Sequence, residues 1–368
     1  DHLSDNGGQG GDGPFMVQDY NHSTGITLVP NPNYYGKAQT LKKVQLLFYK
    51  QLDTAYKAYQ ANQVDNTVVP AEQALQAEKD VAEFKEIGSL AIFYITMNYL
   101  YKPFDNIDIR QAFELAVNKD VIAKNIEKGL ATPTCHIVPS GMPGYNPNLK
   151  CPAGAPTKGD PTKAKQLFAE GMAQEGLTAA TFPSITITYP SGAADTADQI
   201  TTMIQAWQSI LGITVKSQAV DFSTLLTDVT ATACQTPDNP QACMGKGLQM
   251  WWLGWIADYP DPQDWTTLQF AKGVSNNDWN YGQNFSADAA TQVQTQQLLG
   301  KADVNLDATS RMAEYNQAEQ QVVNDVAWLP LFQSDAAALI KKYVQGVVLN
   351  SQGLTPPNDW ADIYISVH

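Results

Sequence analysis

The sequence predicts an α/β fold, and three observations predict it. Between Ile185 and Val220 the chain reads strand, helix, strand. Ile185, Ile187 and Tyr189 alternate with polar residues, Ile200, Met203, Ile204 and Trp207 repeat at helical spacing between Thr196 and Leu211, and Ile213 to Val220 returns. A right-handed crossover makes those two strands parallel. A different strand follows from Leu248 to Ala257, LQMWWLGWIA, apolar on both faces as in a strand covered on both sides. The third observation is bulk composition. With 368 residues, 43% hydrophobic and 16% charged, the chain can build two domains and a sizeable core, which excludes a disordered protein.

The remaining elements follow in chain order. Residues 1–12 are polar and glycine-rich and read as a loop. Phe15-Met16-Val17 opens a run of strands, continued by Ile26 to Val29 beyond the turn at Asn21-His22-Ser23, and by Val44 to Tyr49. Asp53 is placed to cap a helix running through Asn62, with Ala55, Tyr56 and Tyr59 on one face. Glu72 to Lys79 is a short helix, and Ile92 to Met97 alternates as a strand. Asp108 is placed to cap the next helix, whose Ile109, Ala112, Phe113, Ala116 and Val117 share a face. Residues 129–160 form a long proline- and glycine-rich loop, which needs an anchor.

Asp160 followed by Pro161 marks a helix start, with Ala164, Leu167, Phe168 and Met172 turned inward. After the strand–helix–strand unit, Phe222 to Val229 is helical and 231–246 is a loop. Beyond the doubly buried strand, Trp265 to Phe270 is helical and 273–285 is an Asn/Gly-rich loop. A long helix covers Ala308 to Val323. Trp328 to Phe332 is a strand whose Pro330 places it at an edge or hinge. The tail from Val344 to His368 is extended.

Net charge is −14, which excludes a nucleic-acid surface and disfavours an anionic membrane. Guanidinium groups come from Arg110 and Arg311; Arg110 reads as a structural ion-pair partner. The four cysteines fall into two close pairs in loops, Cys135 with Cys151 and Cys234 with Cys243. Neither pair has zinc-site spacing. Two local disulfides and an oxidising compartment are expected, with free thiols as the alternative. No run is long enough to span a bilayer.

Chemistry is sparse. The four histidines, His2, His22, His136 and His368, lie far apart, so neither a nucleophilic triad nor a metal cluster can be assembled. No glycine-rich nucleotide motif occurs. No catalytic residue, metal or cofactor is therefore expected. What remains is the end of the doubly buried strand. Asp258 follows it directly, Pro260 and Pro262 fix a rigid turn, and Trp251, Trp252, Trp255, Trp265 and Tyr259 crowd around. Such an arrangement suits a binding cleft. Two other readings stay open: Asp258 and Asp261 as caps of the turn, or as the two acids of a glycosidase.

The same stretch carries a resemblance. Gly254-Trp255-X-X-Asp258-Tyr259-X-Asp261-Pro262 resembles a signature of the dipeptide- and oligopeptide-binding proteins of ABC importers, the family 5 extracellular solute-binding proteins. Gly13-Pro14-Phe15, Asn31-Pro32-Asn33-Tyr34-Tyr35, Gln63-Val64-Asp65, Pro103-Phe104-Asp105-Asn106 after Asn98, Arg110-Gln111-Ala112, Asn118-Lys119-Asp120 and Val138-Pro139-X-Gly141-X-Pro143-Gly144 are similar to other family patterns.

The resemblance implies a periplasmic-binding-protein-like type II fold of two hinged lobes. Residues 1–97 and 335–368 would form lobe I, and 98–334 lobe II. The N-terminal part of lobe I and a small extra domain would be missing from this chain. It implies a binding protein and no enzyme: the extracytoplasmic component of an ABC importer, monomeric, without cofactor, lipid-anchored in its precursor, located in the periplasm or on the cell surface. Such a protein would capture a peptide or similar small solute between its lobes and pass it to the membrane permease. Asp258 matches the residue that pairs with a peptide's α-ammonium, Ile256 a backbone contact, and Trp255 and Trp207 aromatic pocket walls. Trp252, Tyr189 and Asn98 complete the expected ligand contacts.

The sequence departs from the pattern at Trp252, where oligopeptide binders can carry Arg. It also lacks an Arg between Thr186 and Trp207 that could clamp a dipeptide carboxylate. Relatives with this signature bind oligosaccharides, nickel complexes or opines. A secreted structural scaffold is a further class, one that would lack a polar, aromatic-lined cleft.

Overall fold

A computed structural model of the chain describes residues 11–236, 238–352 and 357–367. Most of the glycine-rich stretch over residues 1–12, and His368, lie outside the described residues. Two compact units are present. One is built from the residues up to Ser89 and from Asp335 onward, the other from Leu90 to Ser334.

The first unit holds a three-stranded antiparallel sheet of β1 (Phe15–Asn21), β2 (Gly25–Pro30) and β3 (Val44–Leu47). Helix α1 (Leu52–Gln60) buries Tyr56 and Tyr59. Its N-cap is Gln51, with no side-chain hydrogen bond, so Asp53 does not cap it. Asp53 lies instead in the first turn, where its charge complements the helix dipole. Strand β4 (Asn66–Val68) follows, and the ends of the two long strands β5 (Phe84–Met97) and β10 (Leu329–Ile340) belong here as well. β4 pairs with β10 at Ala338–Ile340, and Lys341 lies over the Tyr59 ring at 3.9 Å. The tail is extended where β11 (Val344–Gln345) pairs with β12 (Tyr364–Ile365), but it turns through a 3-10 helix at Pro357–Asp362.

The second unit is organised on a sheet in the order β10, β5, β9 (Met250–Ile256), β7 (Ile185–Pro190) and β8 (Val215–Val220), with β6 (Ala131–Pro133) beside β10. Strands β7 and β8 are parallel, joined by a crossover helix. β9 runs parallel to β7, with Thr188 opposite Trp251, and antiparallel to β5, with Ala91 opposite Ile256. It begins at Met250, two residues later than its composition predicts. Both its faces are covered. Met250 and Trp252 join one core with Ile95, Met97, Phe113 and Trp207, while Trp251 joins another with Ile92, Tyr94, Trp265 and Trp328. Each such buried side chain contributes roughly 1.5–3 kcal/mol of transfer free energy.

Six longer helices among the described residues close these cores and carry the crossover. In chain order they are α2 (Ile107–Leu115), α3 (Pro161–Gln174), the crossover α4 (Ala194–Leu211), α5 (Phe222–Thr232), α6 (Ala289–Asp303) and α7 (Ala308–Asn324). Asn106, and not Asp108, caps α2: its Oδ1 accepts the N–H groups of Asp108 and Ile109 at 3.0 and 3.2 Å. Asn106 has the extended backbone that a cap requires, whereas Asp108 is already inside the helix. Asp160 caps α3 as expected, accepting Lys163 N–H at 2.9 Å. Gly212 ends α4 at φ 74°, a conformation that favours glycine. Around Trp265 the expected helix is a short 3-10 turn at Pro262–Asp264 and a brief helix at Thr267–Phe270.

Cys135 is bonded to Cys151 and Cys234 to Cys243, with Cα separations of 5.4 and 5.5 Å, inside the usual range. The long loop has more anchors than its disulfide. Glu319 on α7 accepts the N–H groups of Ile137 and Val138 at 3.0 and 2.9 Å, and Gln320 bonds both backbone groups of Lys150 at 2.9 Å.

Several charges are buried. Arg110 donates to the carbonyls of Asp325 and Phe104 at 2.8 and 2.9 Å and to Asp288 at 2.7 Å, with Tyr99 under its guanidinium at 4.0 Å. Asp325 accepts from Tyr281 and Gln321, each at 2.7 Å. Burial pushes the carboxyls of Asp264, Asp278 and Asp325 each up to about 6. A raised carboxyl binds its proton more tightly in the folded state, so the stability it lends is greatest at low pH and is lost as pH rises through about 6. Burial alone would also raise Glu83 and Asp261, but their hydrogen bonds hold both below their ordinary values of 4.5 and 3.8, outside this window. The melting temperature should therefore rise as pH is lowered from 7.5 to 5. Calorimetric scans at several pH values check this, and a steady fall across that range would contradict it.

Candidate functional site

The last residues of β9 leave the packed sheet. Ile256 is 51% exposed, Ala257 is buried and donates its N–H to Leu90 O at 2.9 Å, and Asp258 is exposed again. The turn that follows is fastened from below. Asp264 Oδ2 accepts the Asp258 N–H at 3.0 Å. Asp261 caps the 3-10 turn by accepting Gln263 N–H at 3.0 Å, and takes both terminal nitrogens of Arg311 at 2.8 and 2.7 Å. Arg311 reaches Tyr315 Oη at 3.1 Å, and Tyr315 donates to Asp303 at 2.6 Å. Tyr259 donates to Gln263 at 2.9 Å. A bidentate guanidinium–carboxylate pair and two prolines leave this turn little freedom.

The electrostatics separate the acids of the turn. Burial would raise Asp261, but Arg311 holds it below the ordinary carboxylate range. Asp264, fully buried, is pushed the other way. Burial first, and then the charges of Asp264, Asp261 and Asp258, push the Tyr259 hydroxyl up. Asp261 is thus a turn residue, as one of the open readings had it.

The expected contacts divide into two groups. Asp258, Ile256 and half-buried Trp255 lie together at the strand end. Tyr189, also half-buried, follows Thr188, which lies opposite Trp251, and packs against the same core as Trp252. Trp252 is nearly buried: its indole donates to Gln199 Oε1 at 2.8 Å, and its ring stacks on Phe93 at 5.1 Å. Phe93 faces Gly254, where a Cβ would lie 2.5 Å from the ring, so glycine is what admits this stack.

Trp207 and Asn98 are placed elsewhere. Trp207 is fully buried on the inner face of the crossover helix α4 and donates to Phe113 O at 2.9 Å, so it packs the core. Asn98 is also fully buried. Its Nδ2 donates to Lys246 O and Leu248 O at 3.0 and 3.1 Å, and its Oδ1 accepts from Leu100 N and Asn280 Nδ2 at 3.0 Å each. With every hydrogen-bonding position used, Asn98 has nothing to offer a ligand.

Sequence reasoning missed Phe93, Gln199, Asp264 and Arg311 at this site. Asp264 stands in the same short turn as Asp258, but its burial leaves no sequence signal. Among the described residues, no group of three or more His, Cys, Asp or Glu could hold a metal ion, and no helix is long and apolar enough to cross a membrane.

A family model described as bacterial extracellular solute-binding proteins, family 5 Middle, matches residues 7–277. The chain belongs to this family. It is 25% identical over 357 residues to the dipeptide-binding protein DppE of Bacillus subtilis, covering 96% of this chain and 60% of that protein. To the oligopeptide-binding protein OppA of the same organism it is 24% identical over 350 residues, covering 93% of this chain and 59% of the relative. The family 5 chain therefore spans about 60% of the length of these relatives. The murein tripeptide binding protein MppA of Escherichia coli superposes with a TM-score of 0.79 at 20% identity, covering 96% of this chain and 64% of that one. The fold is the type II periplasmic-binding-protein fold, seen over the portion that this chain contains.

The long loop meets the turn at Gly144, whose φ is 85°; a Cβ there would lie 2.9 Å from Pro262 Cγ. Gly144→Val should displace the turn and cost about 1–3 kcal/mol of stability, since it adds strain and overlap together. Urea unfolding checks this, and an unchanged midpoint would show that the loop yields freely.

Proposed function

We propose that this chain is the solute-contacting part of the substrate-binding component of an ABC importer, and that the solute is a peptide. Its α-ammonium pairs with Asp258, the backbone at Ile256 bonds the peptide main chain, and Trp255 with Tyr189 offers apolar and ring surface to its side chains. The unit from Leu90 to Ser334 carries these contacts. The protein acts outside the cytoplasm as a monomer that hands its ligand to a membrane permease.

The observation that carries this reading is the exposed Asp258 carboxylate, at the end of a strand whose turn cannot easily move. A rigid, accessible negative charge beside aromatic surface fits an ammonium group on an organic ligand. The matched relatives named for dipeptides and oligopeptides support the peptide class. A glycosidase is disfavoured on the same geometry, because Asp261 is committed to Arg311 and held low, which removes the partner acid such a reaction needs. Binding without catalysis is the reading adopted here. Oligosaccharides and nickel or opine ligands are the competing solutes, since Trp255 and Tyr189 would also stack on a sugar ring.

Incubation with peptide and sugar mixtures, followed by native mass spectrometry, identifies what stays bound and whether it is altered. Asp258→Asn should weaken peptides with a free amino terminus by roughly 2–5 kcal/mol, as when one partner of a desolvated charge pair is removed. N-acetylated peptides should be indifferent to the change. Equal affinity of both proteins for every ligand found would reduce Asp258 to a turn residue.

A further inference from the structure

Asp264 lies under the same turn, and the binding scheme above does not use it. Its side chain is fully buried. Oδ2 accepts the Asp258 N–H at 3.0 Å, while Oδ1 is buried with no hydrogen-bond partner among the described residues. Holding the Asp258 backbone needs an acceptor oxygen but no charge, and an Asn carbonyl would serve equally well. A carboxylate with one oxygen buried and unsatisfied is a costly way to make that bond. Its cost is consistent with a use for the charge.

The groups around Asp264 are few. The turn contributes Asp258 and Tyr259, and β9 contributes the Trp255 indole; Asp261, in the same turn, is joined to Arg311 on α7, which reaches Tyr315, and Tyr315 in turn bonds Asp303 on α6. Arg311 is taken up by Asp261. Among these charged neighbours, no cation is left to neutralise Asp264 directly. Burial pushes its carboxyl up to about 6 and the charge of Asp258 adds to this, against the hydrogen bond from the Asp258 N–H.

We propose that Asp264 is a positioning residue for cation capture at Asp258, fixing its backbone and placing a second, buried negative charge beneath the exposed one. The inference rests on the assignment of Asp258 to a ligand ammonium. When Asp264 is ionised, the Asp258 N–H has a charged acceptor and the ammonium meets the field of both carboxylates. When it is protonated, both contributions fall. Proton and ligand cation then compete, so affinity for a cation drops as pH falls through about 6.

The test uses the whole chain, wild type and Asp264→Asn, with a mixture of free-amino tripeptides and the same mixture N-acetylated. Affinities are measured by calorimetry at pH 7.5, 6.5 and 5.5. The Asp258 amide proton is followed by NMR over the same range without ligand. Wild type should lose roughly 2- to 4-fold in affinity for the free-amino peptides across the range, about 4-fold being the limit for one competing proton on a group near 6. Asp264→Asn should start weaker at pH 7.5 and stay flat, and its Asp258 amide should lose the titration near pH 6 seen in wild type. Identical pH profiles for the two proteins, or an Asp258 amide that does not titrate in wild type, would overturn the inference and leave the peptide assignment standing. Failure of every free-amino tripeptide to bind, or equal binding of the acetylated mixture, would overturn the peptide assignment and this inference with it.

Discussion

The second unit depends on one strand that has no free face. β9 is paired on both edges, with β5 and β7, and its side chains alternate between two separate cores. A strand held in this way has its register set from four directions, because a one-residue slip would exchange Trp251 and Trp252 between unlike cores. Its end is therefore among the best-fixed points in the chain. Ile256 and Asp258 emerge from that fixed point, and this gives an exposed carboxylate a defined direction. Positioning of this kind lowers the ordering cost that a ligand would otherwise meet.

Charge follows the same logic. Arg110 and Arg311 are both consumed inside the unit, one in a fully buried network with Asp288 and the Asp325 carbonyl, the other on Asp261. Anion recognition by guanidinium is thus closed off at the described surfaces of these two residues. The carboxylates of the turn remain, and they differ in state because they differ in surroundings: Asp261 neutralised and low, Asp264 buried and high, Asp258 exposed. Three acids within seven residues take three roles, set by what lies next to each.

Much of this was legible in the sequence where local chemistry decides. The strand–helix–strand unit, the Asp160–Pro161 helix start, the Gly212 stop and both cysteine pairs follow from periodicity, capping and spacing, and each is present. Helix α6 was not foreseen, because the face it buries is Gln292, Thr295 and Gln296 along with Leu299 and Ala302. Gln296 donates to Phe270 O and Tyr281 O at 2.8 Å each, so polar side chains do the packing and no apolar period appears. The capping by Asn106 instead of Asp108 turns on which residue has extended backbone, which sequence leaves undecided. Trp207 and Asn98 match family positions by type, yet their hydrogen bonds are spent on Phe113, Lys246, Leu248, Leu100 and Asn280. The Asp261–Arg311 pair joins residues far apart in the chain, beyond the reach of any local pattern.

The central claim is that a peptide is held at the end of β9. The most direct measurement is a backbone amide NMR titration of the labelled chain with free-amino tripeptides. The account predicts that the largest shifts fall on Trp255, Ile256 and Asp258, with smaller ones at Tyr189 and almost none at buried Trp207 and Asn98. Shifts confined to residues before Leu90 or after Ser334, with the end of β9 unmoved, would contradict it.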